Sequence, residues 1–408
     1  MHLPSAILAA IVLLCCSHRS QALCSNGHCQ LRQVCLRSAD CSAGLFCSTC
    51  VANGDALRRC HRFMTTNATA IRGDLPFNRY SWITTHNSFA IVGEPSHTGV
   101  PRLTFVNQED SVSTQLKNGV RGLMLDMYDF LGNVWLCHSY GGVCYNFTAF
   151  EPAINALKEV EAFLLANPTE IVTVFIEDYV RSTKGLTNVF TEAGLKKYWF
   201  PVSLMPKSGG DWPTIIEMVA KNYRLVVFTS NRTKEASEGI AYNWRYVNEN
   251  QYGNGGMTAG ECPKRAESAA MNSTSRSLVL VNFFRDNPVQ AQACKYNSAP
   301  LKAMLPVCYA ASGNRWPNYV AVDFYKRSDG GGALVAMDMV NAGLMCGCSD
   351  INVCKLNLPF GVCNVSSSTD PPTALLQPNA TSQANFHKRS PYPLLYVVSI
   401  LLYICTIT

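Results

Sequence analysis

Charge is scarce in this chain: 15% of its 408 residues are Asp, Glu, Lys or Arg, and the net charge is only +6. Lys and Arg form no stripe of the kind that neutralises nucleic-acid phosphates, so no nucleic-acid partner is expected. No Gly-x-Gly-x-x-Gly follows an apolar run, which argues against a dinucleotide-binding sheet. No Gly-x-Ser-x-Gly elbow is present either, which argues against an ordinary lipase or esterase. The absence of a paired CxxC…CxxC array makes structural zinc a poor account of the cysteines. What is abundant is apolar: 48% of the chain, enough for one large domain with small appendages.

The two ends point to the secretory route. Ile7 to Cys16 is a short apolar core, and Ser20-Gln21-Ala22 offers small residues for cleavage, so residues 1–22 are expected to be a signal peptide. Residues 392–408 form an apolar tail, and 366–391 form a Ser/Thr/Pro/Asn-rich stalk and spacer containing His387-Lys388-Arg389. That layout is a signal for a glycosylphosphatidylinositol (GPI) anchor, with a short tail-anchor helix as the alternative. The expected location is therefore the extracellular face of the plasma membrane, held through a lipid anchor.

Nineteen cysteines are present, and sixteen remain once Cys15, Cys16 and Cys405 leave with the terminal segments. An even number in a secreted chain implies a largely paired disulfide set, whose connectivity spacing cannot supply. Asn-x-Ser/Thr sequons at Asn67, Asn146, Asn231, Asn272, Asn364 and Asn379 fit the same compartment. Residues 23–62 hold seven of the cysteines and few long apolar runs, so this N-terminal extension must be stapled rather than packed. Residues 346–365 carry a second cluster, Cys346, Cys348, Cys354 and Cys363.

Between the clusters, residues 70–345 alternate continuous apolar runs with helical-looking stretches. The runs begin at Trp82, Gly122, Ile171, Arg224, Leu278 and Tyr319. Strands buried on both faces have this continuity, and the amphipathic stretches Ala153 to Asn167 and Asp211 to Lys221 supply helices between them. The expected fold is parallel α/β, and the length favours a (β/α) barrel over a doubly wound sheet.

Several runs end in polar groups: Thr85-His86-Asn87-Ser88, Leu125-Asp126, Ile176-Glu177-Asp178 and Val322-Asp323. In a parallel barrel all strand C-termini share one face, so these side chains converge, and Cys137-His138-Ser139 follows closely enough to join them. Singly, each has an ordinary reading as a helix cap or a hydrogen-bonded structural residue. Together they form a site. Two imidazoles supply a base and an acid for phosphoryl displacement, and carboxylates with an Asn oxygen make a cradle for Ca²⁺ or Mg²⁺.

At these residues the chain resembles the phosphatidylinositol-specific phospholipase C X-domain superfamily, and more closely its plant GPI-anchored branch. The matching stretches are Ser81 to Phe89, Gly119 to Tyr128, Leu136 to Ser139, Val172 to Glu177 and Tyr319 to Phe324. The resemblance implies a distorted TIM-type barrel and cleavage of the phosphate–diacylglycerol bond of an inositol phospholipid by attack of the inositol 2-hydroxyl. It implies His86 as general base, His138 as general acid and Asp323 as the carboxylate that orients His86. Asn87, Asp126 and Glu177 match three of four metal-ligand positions of calcium-dependent members, while Met124 stands where those members carry Glu. A thioether is a poor ligand for a hard cation, so a rearranged Ca²⁺ site is expected, with Mg²⁺ as the alternative ion and Asp178, Asp129 or water to complete it. Arg121 is a candidate substrate contact to phosphate, with a buried ion pair as its other reading.

Two other functions share these features. One is a glycerophosphodiesterase or a sphingomyelinase-D-like hydrolase; the other is a cell-surface binding protein that keeps the barrel without activity, a reading that Met124 favours.

Overall fold

A computed structural model describes residues 24–355 and 358–363. The signal peptide, the stalk, the apolar tail and the sequons at Asn364 and Asn379 lie outside these residues. No described helix is long and apolar enough to cross a membrane.

The N-terminal extension is built around an antiparallel hairpin, β1 (Leu45–Cys50) and β2 (Asp55–Arg62). Its core is mostly cystine sulfur, as its composition requires: Cys24–Cys29, Cys35–Cys47 and Cys41–Cys60 are paired within it. The seventh cysteine of the cluster, Cys50, crosses 244 residues to Cys294, on the helix Gln290–Tyr296. The remaining pairs are Cys137–Cys144, Cys262–Cys308, Cys346–Cys354 and Cys348–Cys363, so all sixteen described cysteines are bonded.

The barrel strands are β3 (Trp82–Thr85), β4 (Gly122–Phe130), β5 (Asn133–Cys137), β6 (Ala149–Pro152), β7 (Val172–Tyr179), β8 (Leu225–Thr229), β9 (Ala241–Tyr242), β10 (Val247–Glu249), β11 (Leu278–Phe283) and β12 (Tyr319–Val322). Eight of them form a curled parallel sheet in the order β10-β11-β12-β3-β4-β7-β8-β9, while β5 and β6 extend β4 in antiparallel fashion. Among the described residues β9 and β10 do not pair with each other; the helix Asn243–Tyr246 joins them in the chain, and the barrel is open there.

Alternate residues of the apolar runs serve two cores. Ile83, Leu123, Val174, Val227, Val281 and Val320 pack outward against helix residues such as Leu157, Val160 and Met337. Trp82, Phe175, Phe228, Leu280 and Tyr319 fill the barrel interior, with Phe175 stacked on Phe228 and edge-on to Tyr319. Burial on both faces is the reason these runs are continuous. β3 and β4 meet where Gly122 faces Thr84; a Cβ on Gly122 would lie 2.2 Å from Thr84 Oγ1.

The helix Ala153–Ala166 forms as its periodicity predicts. The helix expected over Asp211 to Lys221 is shorter, Ile215–Ala220. Pro213 biases Trp212 away from helical backbone, and Thr214 and Glu217 close a capping box that sets the start.

Candidate active site

The turn after β3 carries the first functional side chains. His86 N–H donates to the carbonyl of Val322 on β12, and Ser88 N–H donates to Met124 on β4. Inside the turn Thr85 Oγ1 lies 2.8 Å from Ser88 Oγ and donates to Gln115 Oε1 at 2.7 Å. The turn is thereby clamped to both neighbouring strands, and Asn87 takes a left-handed φ of +42° that Asn tolerates better than most residues.

A cavity of about 500 Å³ opens at this end of the barrel, lined by His86, Asn87, Met124, Asp126, His138 and Glu177 among others. His86 Nδ1 lies 2.9 Å from Asp323 Oδ1, which follows β12, and its ring stacks flat on Phe284 with centroids 3.6 Å apart. His138 follows β5, and its Nδ1 bonds to the carbonyl of Phe105 at 3.2 Å. With each Nδ1 engaged, Nε2 is the free nitrogen of both rings. Burial, and then the neighbouring His86, hold the His138 imidazole below the usual histidine range.

Asp126 on β4 and Glu177 on β7 are register partners on adjacent parallel strands. Burial, and then the Glu177 carboxylate, push Asp126 well above the usual carboxylate range. Among the described residues neither acid has an ion-pair partner; Glu177 accepts from the hydroxyl of Tyr179, which stacks on Tyr128. The Asn87 amide faces Asp126 and donates to it at 3.1 and 3.3 Å once oxygen and nitrogen are exchanged. In the other orientation the Asn87 oxygen faces Asp126 as a third acceptor beside the two carboxyl groups, and an all-oxygen set of this kind is what a hard cation takes. These three residues fit Ca²⁺ or Mg²⁺.

Other expectations are corrected. Arg121 does not line this cavity: it precedes β4, at the far end of the strand from Asp126. Its guanidinium pairs with Glu170 at 2.8 Å, donates to the carbonyls of Leu116 and Val120, and lies over the Phe163 ring, so it is a structural ion pair and not a substrate contact. Asp129 is taken up by the backbone of Arg181 and Ser182, and Asp178 by Thr229 and Val180, so neither stands beside Asp126 as a further metal ligand.

The cavity also holds residues the sequence did not reveal. Arg265 pairs with Glu249 at 2.9 Å and Glu267 at 3.0 Å and lies over the rings of Trp244 and Tyr252. Arg285 lines the same wall without a carboxylate partner among the described residues. Glu249 stands at the end of β10, whose three residues are too few to show a pattern. Asn107, buried in a loop, donates to Asp323 Oδ1 at 2.8 Å.

The family model for PI-PLC X matches residues 76–341. A PI-PLC X domain-containing protein of Arabidopsis thaliana is 52% identical over 369 residues, covering 90% of this chain and 87% of the relative. A PI-PLC X domain-containing protein 1 of Arthroderma benhamiae is 28% identical over 155 residues, 36% of this chain and 48% of the relative. Among solved structures, the phosphatidylinositol-specific phospholipase C of Listeria monocytogenes aligns with 67% of this chain and 96% of its own at 15% identity, with a TM-score of 0.44. Matched by the family model over most of its length, and 52% identical to the Arabidopsis relative across 90% of the chain, the chain belongs to the PI-PLC X domain family.

Proposed function

We propose that this protein is a phosphoric diester hydrolase acting on an inositol phospholipid or a related phosphodiester by base–acid catalysis. The observation that carries the reading is the pair of imidazoles in one cavity, each bonded through Nδ1 to a fixed oxygen and free at Nε2. His86 Nε2 takes the proton of the attacking inositol hydroxyl while its oxygen bonds to phosphorus, and Asp323 steadies the imidazolium that forms. The bond from phosphorus to the glycerol oxygen breaks, and His138 supplies that oxygen with a proton. The products are a cyclic inositol phosphate and diacylglycerol.

Asn87, Asp126 and Glu177 would hold Ca²⁺, or Mg²⁺, with water completing the shell in place of Met124. Bound there, the cation neutralises phosphoryl charge. Arg285, which lines the cavity and bonds to the Tyr296 hydroxyl, would be the cation that meets the substrate phosphate in place of Arg121. The terminal segments and the eight disulfides support a secreted protein tethered by a lipid to the outer membrane surface.

The test is an assay of the purified protein on inositol lipids, glycosylated inositol lipids and glycerophosphodiesters, with Ca²⁺, Mg²⁺ or EDTA. Cyclic inositol phosphate is the expected product. Glycerol phosphate or free choline would move the protein to the alternative hydrolases, and no turnover on any substrate would leave it a binding protein.

A further inference from the structure

Residues Thr104 to Gln108 touch every member of the base–acid set. Thr104 Oγ1 donates to the carbonyl of His138 at 2.6 Å, and the carbonyl of Phe105 bonds to His138 Nδ1 at 3.2 Å. Asn107 Nδ2 donates at 2.8 Å to Asp323 Oδ1, the oxygen that also bonds to His86 Nδ1 at 2.9 Å. Gln108 Nε2 donates to the carbonyls of His86 and Val322 at 2.9 and 3.1 Å. Four of these five residues therefore hold the two histidines, by ring or backbone, and the carboxylate.

Asn107 and Gln108 are fully buried, and the amide oxygen of each has no hydrogen-bond partner among the described residues. Buried amides are normally satisfied at both ends, so only the N–H half of each is in use here. The Asn107 backbone is fixed too: its N–H donates to Ala90 at 2.7 Å and its carbonyl accepts from Phe324 at 2.8 Å. Phe324 holds a φ of +46° in the turn that presents Asp323. Asn107 thus ties the turn after β3 to the turn after β12, and its Nδ2 sits against both members of the dyad, 2.8 Å from Asp323 Oδ1 and 3.2 Å from His86 Nδ1.

We propose that Asn107 is a positioning residue for the base, and that the segment Thr104–Gln108 fixes the tautomer of both histidines, leaving each Nε2 for a reacting oxygen. This rests on the assignment of His86 and His138 as base and acid. A neutral imidazole without a fixed acceptor at Nδ1 samples both tautomers, and one of them has no lone pair at Nε2. Removing the Asn107 amide loosens Asp323 and His86 together, since its Nδ2 contacts both. Removing the Thr104 hydroxyl loosens His138.

Two substrates separate these arms: an inositol phosphodiester with an alkyl leaving alcohol, and one with nitrophenol, which departs without a proton. H86A is measured first and is expected to be inactive on both. N107A should lower kcat roughly 10- to 100-fold on both substrates with KM within about twofold, because the base is needed in each. T104V should lose roughly fivefold in kcat on the alkyl substrate and recover on the nitrophenyl one, since only the acid is affected. Histidine ¹⁵N spectra should show His86 as the Nδ1–H tautomer in the wild type and as a mixture in N107A. If H86A is inactive but N107A keeps kcat, or loses only melting temperature, the positioning role is overturned. If H86A is fully active, the base–acid reading falls and this inference with it. Should N107A fail to fold, the nearly isosteric T104V decides: an equal loss on both substrates refutes the inference.

Discussion

Asp323→Asn removes one charge from the site and almost nothing from its shape. Asp323 and His86 lie 2.9 Å apart with side chains 9% and 20% exposed, so the imidazolium formed during turnover meets a carboxylate that little water screens. With an effective dielectric constant of about 20, the attraction at that separation is about 6 kcal/mol, an upper bound on what the charge contributes. The lower bound is the difference between a charge-assisted and a neutral hydrogen bond, about 1 kcal/mol. At ~1.4 kcal/mol per factor of ten, kcat should fall between roughly fivefold and roughly 10⁴-fold. The measurement is the rate of cyclic phosphate formation followed by ³¹P NMR, with the melting temperature confirming that the variant folds. A D323N protein whose kcat stays within about threefold of wild type, beside an inactive H86A, would refute the assignment of Asp323 as the partner of the base.

The pH profile follows from His138. Burial lowers its proton affinity, and an acid must hold its proton to donate it, so kcat/KM should fall as pH rises through a value below the ordinary ~6.5 of histidine; a basic limb above pH 7.5 would contradict this. Met124→Glu adds a hard ligand beside Asp126 and Glu177. It should lower the melting temperature of the cation-free protein and tighten Ca²⁺ binding at least about tenfold by calorimetry, and unchanged affinity would remove this cradle as the metal site. Arg121→Ala leaves Glu170 and two carbonyls without their partner, so denaturant unfolding should show a loss of about 3 kcal/mol while kcat of the folded protein stays within about twofold. A selective loss of kcat would restore Arg121 to the substrate.

Six barrel strands are legible because parallel strands of four residues or more, buried on both faces, leave continuous apolar runs. β9 and β10 have two and three residues, too short for any period, and with them the opening of the barrel and the Glu249 end of its wall stay hidden. His86, Asp126, Glu177 and Asp323 are legible because each stands toward the C-terminal end of such a run, the one end a parallel barrel gathers together. The same rule, applied to distance, corrects Arg121. Five residues of strand separate it from Asp126, about 16 Å at ~3.3 Å per residue, which carries it to the opposite end. Asn107 comes from a loop with neither period nor apolar run, so its contact with Asp323 follows only from the folded path of the chain.

The disulfide between Cys50 and Cys294 also sets a timetable for synthesis. Cys50 leaves the ribosome 244 residues ahead of its partner, an interval of about 12 to 49 seconds at roughly 5–20 residues per second. During that wait the six neighbouring cysteines can pair among themselves, while the Cys50 thiol must stay unspent beside three forming bridges. A shuffled pairing made early would leave Cys294 alone on the helix Gln290–Tyr296, and a free-thiol assay on Cys294 reports whether the nascent chain waited.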